Sequence, residues 1–189
     1  MVFNCWMMAS ALSTPLGDVL ADEPSSGFER LVREHQDRIF GFALNLCGNA
    51  ADAEEIAQDA FIRAHRALGG YEAQRVRDLK VSSWLHQIAL NVFRNRIRGR
   101  RPQIVGLDDI AEPPTIEPGP ERIFEMGVER DRLRSLLVAL PVRYREAVVL
   151  RHVQGLSYAE MAAVLDLPLG TLKSDVHRGL ALLRKELSR

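Results

Sequence analysis

Gln87, Asn91, Arg94 and Arg98 recur at intervals of four, three and four residues, so a helix through them carries all four on one face. Side-chain amides can hydrogen-bond base edges, and guanidinium groups neutralise phosphates. Arg94, Arg96, Arg98, Arg100 and Arg101 continue the basic run. Just upstream, Tyr71 to Ser83 brings Arg75, Arg77 and Lys80 into a predicted loop, where an unstacked base of single-stranded DNA could be received. The plain alternative is a solvated basic helix face. A second set follows Gly155: Lys173, Ser174, His177 and Arg178 lie off the apolar stripe Leu172, Val176, Leu180, Leu183, Leu187. A third is acidic. Asp52, Glu55 and Asp59 share a helix face with Ile62, opposite an apolar face of Ala53, Ile56, Ala57, Ala60, Phe61, Ala64 and Leu68. This acidic face reads either as a protein-docking surface or as a solvated face with one stray isoleucine.

Chemistry of other kinds finds little support. Gly155-Leu-Ser-Tyr-Ala misses the final glycine of a nucleophile elbow and has no strand before it. There is no phosphate-cradling loop ending in Lys-Ser/Thr and no His-Glu-x-x-His. The histidines are scattered, and His35 and His65 read as surface or packing residues. Cys5 and Cys47 are too far apart for zinc-ligand spacing and are expected as unpaired thiols. The expectation is a non-enzyme without metal or cofactor.

The elements that must position these groups are all helical. The chain has 189 residues, 47% hydrophobic and 26% charged, with 25 basic against 25 acidic side chains. Charge is grouped rather than absent, so a net of zero does not exclude nucleic acid. Residues 1–25 are expected to be a disordered extension ending in the turn-rich Asp22–Gly27; Met7 or Met8 could be the start. No stretch approaches the roughly 20 apolar residues of a membrane span, and no signal peptide is read, so the expected location is cytoplasmic. Residues 26–100 read as a first helical domain. Residues 101–120 carry Pro102, Pro113, Pro114, Pro118 and Pro120, which no helix survives, and read as a flexible linker. Residues 121–189 form a second domain: helices at about 121–140 and 141–152, with Pro141 at a first helical position, then a helix-turn-helix. Ser157 with Glu160 is a capping box for its first helix. Asp166 to Gly170 makes the turn, and the second helix would enter a major groove. The fold class is all-α, two small domains joined by a linker.

These residues resemble a known family. Leu140-Pro141 through Gly155-Leu-Ser-Tyr-Ala-Glu-Met-Ala to Gly170-Thr171-Leu172-Lys173-Ser174 and His177-Arg178 is similar to the fourth conserved region of extracytoplasmic-function (ECF) sigma factors. Asp52 to Phe61 resembles their polymerase-clamp-binding region, and Trp84 to Asn91 their melting and minus-ten region. The resemblance implies a promoter-specificity subunit of bacterial RNA polymerase, directing melting and initiation in response to a stress or signal. Asp52, Glu55, Gln58, Asp59 and Ile62 would dock on the core polymerase, whose beta-prime clamp and beta flap are the implied contacts. Gln87, Asn91, Arg94 and Arg98 would meet the minus-ten element. Thr171, Lys173, Ser174, His177 and Arg178 would read the minus-thirty-five element. An anti-sigma factor is a further implied partner, and the linker would thread toward the polymerase cleft. Two positions depart from the pattern. Asp175 stands where many relatives have arginine, as a carboxylate expected to face DNA, and Asn95 where relatives often carry aspartate. The competing account is a stand-alone helix-turn-helix regulator, which leaves the acidic face and the Arg94–Arg101 run without a role.

Overall fold

The computed structural model describes residues 15–99 and 121–188, and for 121–128 the backbone alone. The expected linker and the first 14 residues lie outside the described residues. Nine α-helices occur in order among those described: α1 Leu16–Asp22, α2 Pro24–Cys47, α3 Ala50–Leu68, α4 Ala73–Arg77, α5 Val81–Gly99, α6 Glu121–Ala139, α7 Val142–Val148, α8 Tyr158–Leu165 and α9 Leu169–Leu187. No strand is present among the described residues.

Helices α1–α5 form one bundle. Leu31, Ile39, Phe42 and Leu46 of α2 meet Ile56 and Ala60 of α3 and Leu85, Ala89 and Phe93 of α5 in a continuous core. The expected disorder of residues 16–25 is corrected. Leu20 is buried, Gly17 packs so closely that a Cβ would lie 2.7 Å from the Arg77 carbonyl, and Arg77 Nη2 donates to Asp22 at 2.6 Å. Pro24 is the first residue of α2, where a missing N–H costs nothing, so the turn signals around it mark a helix start. Gly48, with φ of 76°, ends α2 in the left-handed conformation that suits glycine. The expected loop between Tyr71 and Ser83 contains the one-turn helix α4.

Helices α6–α9 form the second bundle, around Leu137, Ala147, Leu150, Met161, Val164 and Leu172. Pro141 is the cap before α7 rather than its first helical residue, with ψ of 135°. The expected single helix to His152 changes character: α7 passes into a π-helical turn over Val149–Val153, closed by Gln154 N–H to the Val149 carbonyl at 2.9 Å. The Ser157–Glu160 capping box is formed in both directions. Asp166 takes the left-handed conformation at the end of α8, and α9 starts at Leu169, so Gly170 lies inside the helix rather than in the turn.

The two bundles are in contact. Arg145 of α7 donates to the Leu46 carbonyl at the end of α2 (2.5 Å) and to the Val138 and Leu140 carbonyls at the end of α6. One half-buried guanidinium thus satisfies carbonyls that two helix ends leave free.

Candidate nucleic-acid interface

The acidic face is built by α3. Asn49 Oδ1 accepts from the Asp52 N–H at 3.0 Å and starts the helix. Ala53, Ile56, Ala57, Ala60 and Ala64 turn inward, so Glu55, Gln58, Asp59 and Ile62 are exposed on the other side. Ile62 remains 48% accessible. Asp52 is different: it is half-buried, and Arg96 of α5 donates to Asp52 Oδ1 at 3.2 Å and to Glu55 Oε2. Arg96 therefore belongs to the acidic face, not to the basic stripe.

The α5 stripe is divided. Asn91 and Arg98 are exposed, whereas Gln87 and Arg94 are half-buried and bonded to the second bundle. Arg94 makes a two-pronged pair with Glu146 of α7, Nε to Oε1 at 2.9 Å and Nη2 to Oε2 at 2.6 Å. Glu146 is only 4% exposed, and its hydrogen bonds raise the Arg94 pKa. Gln87 Nε2 donates to the Ala163 carbonyl of α8 at 3.3 Å. Lys80, Trp84 and Gln87 line a groove of about 250 Å³ against Glu160 and Ala163. Trp84 is half-buried and lies tilted against Tyr71, 6.2 Å between centroids, as a packing residue at the edge of the core. Arg100 and Arg101 lie outside the described residues.

On α9, Leu172, Val176 and Leu183 are buried and Leu180 partly so, which leaves Lys173, Ser174, His177 and Arg178 exposed and Thr171 at the margin. Leu187, expected on the apolar stripe, is 50% exposed in the last turn. Asp175 corrects the sequence expectation most clearly. It is 1% exposed, facing α7 rather than solvent, and Arg143 Nε donates to its Oδ2 at 2.7 Å. Its position three after Leu172 and four before Gly179 puts it on the buried side.

Tyr158, not among the expected residues, joins this face. The Arg151 guanidinium lies 5.0 Å and the Lys173 ammonium 5.9 Å from its ring centroid. Spacings of seven and fifteen residues gave no periodic signal for this grouping. His86 was also missed. It is fully buried between the bundles, edge-on to Phe42 at 4.9 Å, and burial lowers its pKa. His65 packs edge-on against Phe28, and burial lowers the His35 pKa. Cys47 is half-buried and unpaired, and burial raises its pKa; Cys5 lies outside the described residues. Among the described residues no group of His, Cys, Asp and Glu is placed to hold a metal ion, and no helix is long and apolar enough to cross a membrane.

A helix-turn-helix bundle behind an acidic and basic helical bundle defines the class as a sigma-70-type transcription factor, and comparison with known proteins agrees. The Sigma-70 region 2 family profile matches residues 31–103, and the Sigma-70 region 4 profile residues 130–183. The chain is 36% identical to the ECF RNA polymerase sigma factor SigE of Mycolicibacterium smegmatis over 93% of this chain and 68% of that one. It is 31% identical to SigW of Bacillus subtilis (85% and 88% covered) and 32% identical to the sigma-E factor of Escherichia coli K12 (80% and 81%). Among solved structures it is similar to CnrH in complex with the cytosolic domain of CnrY, with 26% identity, a TM-score of 0.68, and 92% and 95% of the chains covered. The fold also matches RpoE in complex with the anti-sigma factor NepR from Bartonella quintana, at 23% identity and TM-score 0.68, covering 85% and 96%. The chain belongs to the ECF sigma factors, the subunits that bring RNA polymerase to promoters and start transcription.

Proposed function

We propose a division of this work among the three faces. The exposed α3 residues Glu55, Gln58, Asp59 and Ile62, with Asp52 at the buried edge, dock on the beta-prime clamp of core polymerase. Gln87, Asn91, Arg94 and Arg98 meet the minus-ten element, the amides toward bases and the guanidinium groups toward phosphates. Thr171, Lys173, Ser174, His177 and Arg178 enter the minus-thirty-five major groove, with Arg151 and Tyr158 beside them against the backbone. The second bundle also meets the beta flap. The chain supplies recognition and melting and no catalysis of its own, and it acts in the cytoplasm. By the example of relatives solved with CnrY and NepR, it is held by an anti-sigma factor until a signal arrives.

The observation that carries the polymerase assignment is Ile62, 48% exposed amid Glu55, Gln58 and Asp59 on a helix whose other side is core. An apolar residue with a charged surround is the anatomy of a docking patch. The test is co-elution with core polymerase. Asp59→Arg/Ile62→Glu is a cleaner variant than one that includes Asp52, because Asp52 also holds Arg96. We expect wild type to co-elute and the variant to lose at least about tenfold in affinity, or about 1.4 kcal/mol. Equal retention of both proteins removes α3 from the interface.

A further inference from the structure

Two of the four groups assigned to minus-ten recognition are already occupied, and by the chain's own second bundle. Glu146 offers Arg94 two carboxylate oxygens at 2.9 and 2.6 Å, the same two-pronged geometry that a backbone phosphate offers a guanidinium. The Ala163 carbonyl accepts from the Gln87 amide, as an acceptor on a base edge would. We propose that region 4 of this protein inhibits its own region 2 by mimicking DNA, with Glu146 in the place of a phosphate, so that the free chain is closed and poorly competent for minus-ten DNA. This rests on the assignment of the α5 face above.

Further contacts hold the closed state. Arg38 of α2 donates to the Gln154 carbonyl at 3.3 Å, and the Gln154 side chain lies 3.2 Å from His86 Nε2. Arg145 reaches across to the Leu46 carbonyl. At that same end of α2 packing leaves no gap: a Cβ on Gly48 would stand 2.7 Å from Val138 Cγ2. In the closed chain Glu146 is buried where the bundles meet, with both carboxylate oxygens on Arg94, so the pair is shielded from water rather than exposed at the surface. Opening exchanges Glu146 for phosphate on the same guanidinium and Ala163 for a base on the same amide. The exchange is close to balanced, so core polymerase, by holding the two bundles apart at two docking points, can drive it. About twenty residues join Gly99 to Glu121, enough to span roughly 60 Å when extended.

The test uses the full chain. Spin labels at Arg66 and Lys185, both exposed and away from the contact, report the distance between bundles by pulsed electron resonance, with Cys5 and Cys47 replaced by serine. The expected wild-type result is one narrow, short distribution, which broadens to longer distances in Glu146→Gln. That substitution keeps the shape and removes the charge. Gln154→Ala, on a half-buried side chain, should move the distribution the same way. A fluorescent mixed-sequence single-stranded 20-mer should bind Glu146→Gln about tenfold more tightly than wild type, while both bind core polymerase equally. A broad wild-type distribution, or equal oligonucleotide affinity for wild type and Glu146→Gln, overturns the proposal. Loss of core binding by both proteins with the distance shift intact would instead sink the division of faces and leave the closed state standing.

Discussion

Asp175 places a charged side chain inside the helix-turn-helix bundle. Its carboxylate is buried against α7, Arg143 holds one oxygen, and the other has no hydrogen-bond partner among the described residues. Arg143 is 59% exposed in its side chain. The two partners therefore differ in what their loss leaves behind. Arg143→Ala strands a buried carboxylate, whereas Asp175→Asn leaves a cation that water can solvate. Thermal denaturation should show the larger fall in Tm for Arg143→Ala. Asp175→Arg, the residue many relatives carry, places two cations together and should be worse than either. The exchange Arg143→Asp/Asp175→Arg should recover part of the loss, and no recovery would mean that the pair does not act as a unit. Ser157 carries a second prediction. Its hydroxyl and N–H bond the Glu160 carboxylate, which lowers the Glu160 pKa. A lowered carboxylate pKa gives stability that is complete above the unfolded value and is lost as pH falls toward the folded one. Ser157→Ala should cost about 1 kcal/mol at pH 7. The gap from wild type should narrow below about pH 4.5 in parallel melts. Capping was legible because both partners sit within one turn. Asp175 was not, because its partner lies 32 residues away.

The recognition role proposed for α9 depends on how closely that helix lies on α7. Gly179 makes that approach possible. A Cβ there would stand 2.5 Å from Val148 Cγ2 and 3.3 Å from the Tyr144 carbonyl. Ala is the better helix former by about 1 kcal/mol, yet the clash wins because Val148 is buried and β-branched, with little room to turn. Gly179→Ala should therefore lower the stability of the second bundle by about 1–3 kcal/mol. It should also weaken binding to minus-thirty-five DNA more than an exposed control such as Glu186→Ala does. A stabilised variant would show that α7 and α9 have slack between them. Several elements were legible at this scale: 3.6-residue periodicity marked α3, α5 and α9. The helix α1 was not. It spans seven residues between Pro15 and Pro24, too short for a period to show, and its order comes from Leu20 in the core and from Arg77 far along the chain. The π-helical turn after α7 was equally hidden, since it differs from an α-helix by one residue per turn.

At the scale of the whole molecule the charges that sequence patterning assigned to partners turn first toward each other. Arg96 serves the acidic face of α3, and Arg94 serves Glu146. Both partners lie more than forty residues away in sequence, outside the reach of any periodic signal. His86 sits where the bundles meet, and it makes closure sensitive to acid. Nδ1 donates to the Ser82 carbonyl at 2.7 Å, and Nε2 faces the Gln154 amide. A half-turn of that amide lets its N–H donate to the neutral ring. Arg38 and His35 from α2 disfavour a charge on the ring, and Glu160 from α8 favours one. Burial outweighs the favourable contacts, so the pKa is lowered from 6.5. A histidine with a lowered pKa takes up its proton more readily where it is solvated, so proton uptake accompanies exposure. Closure is then complete above about pH 6.5 and weakens as pH falls through that value toward the lower one of the closed state. Spin-label distances for the free protein should lengthen between pH 7.5 and 5. His86→Phe keeps an aromatic ring against Phe42 and has nothing to titrate. It should hold the short distance at both values, and an equal acid response in that variant would assign the effect to other groups.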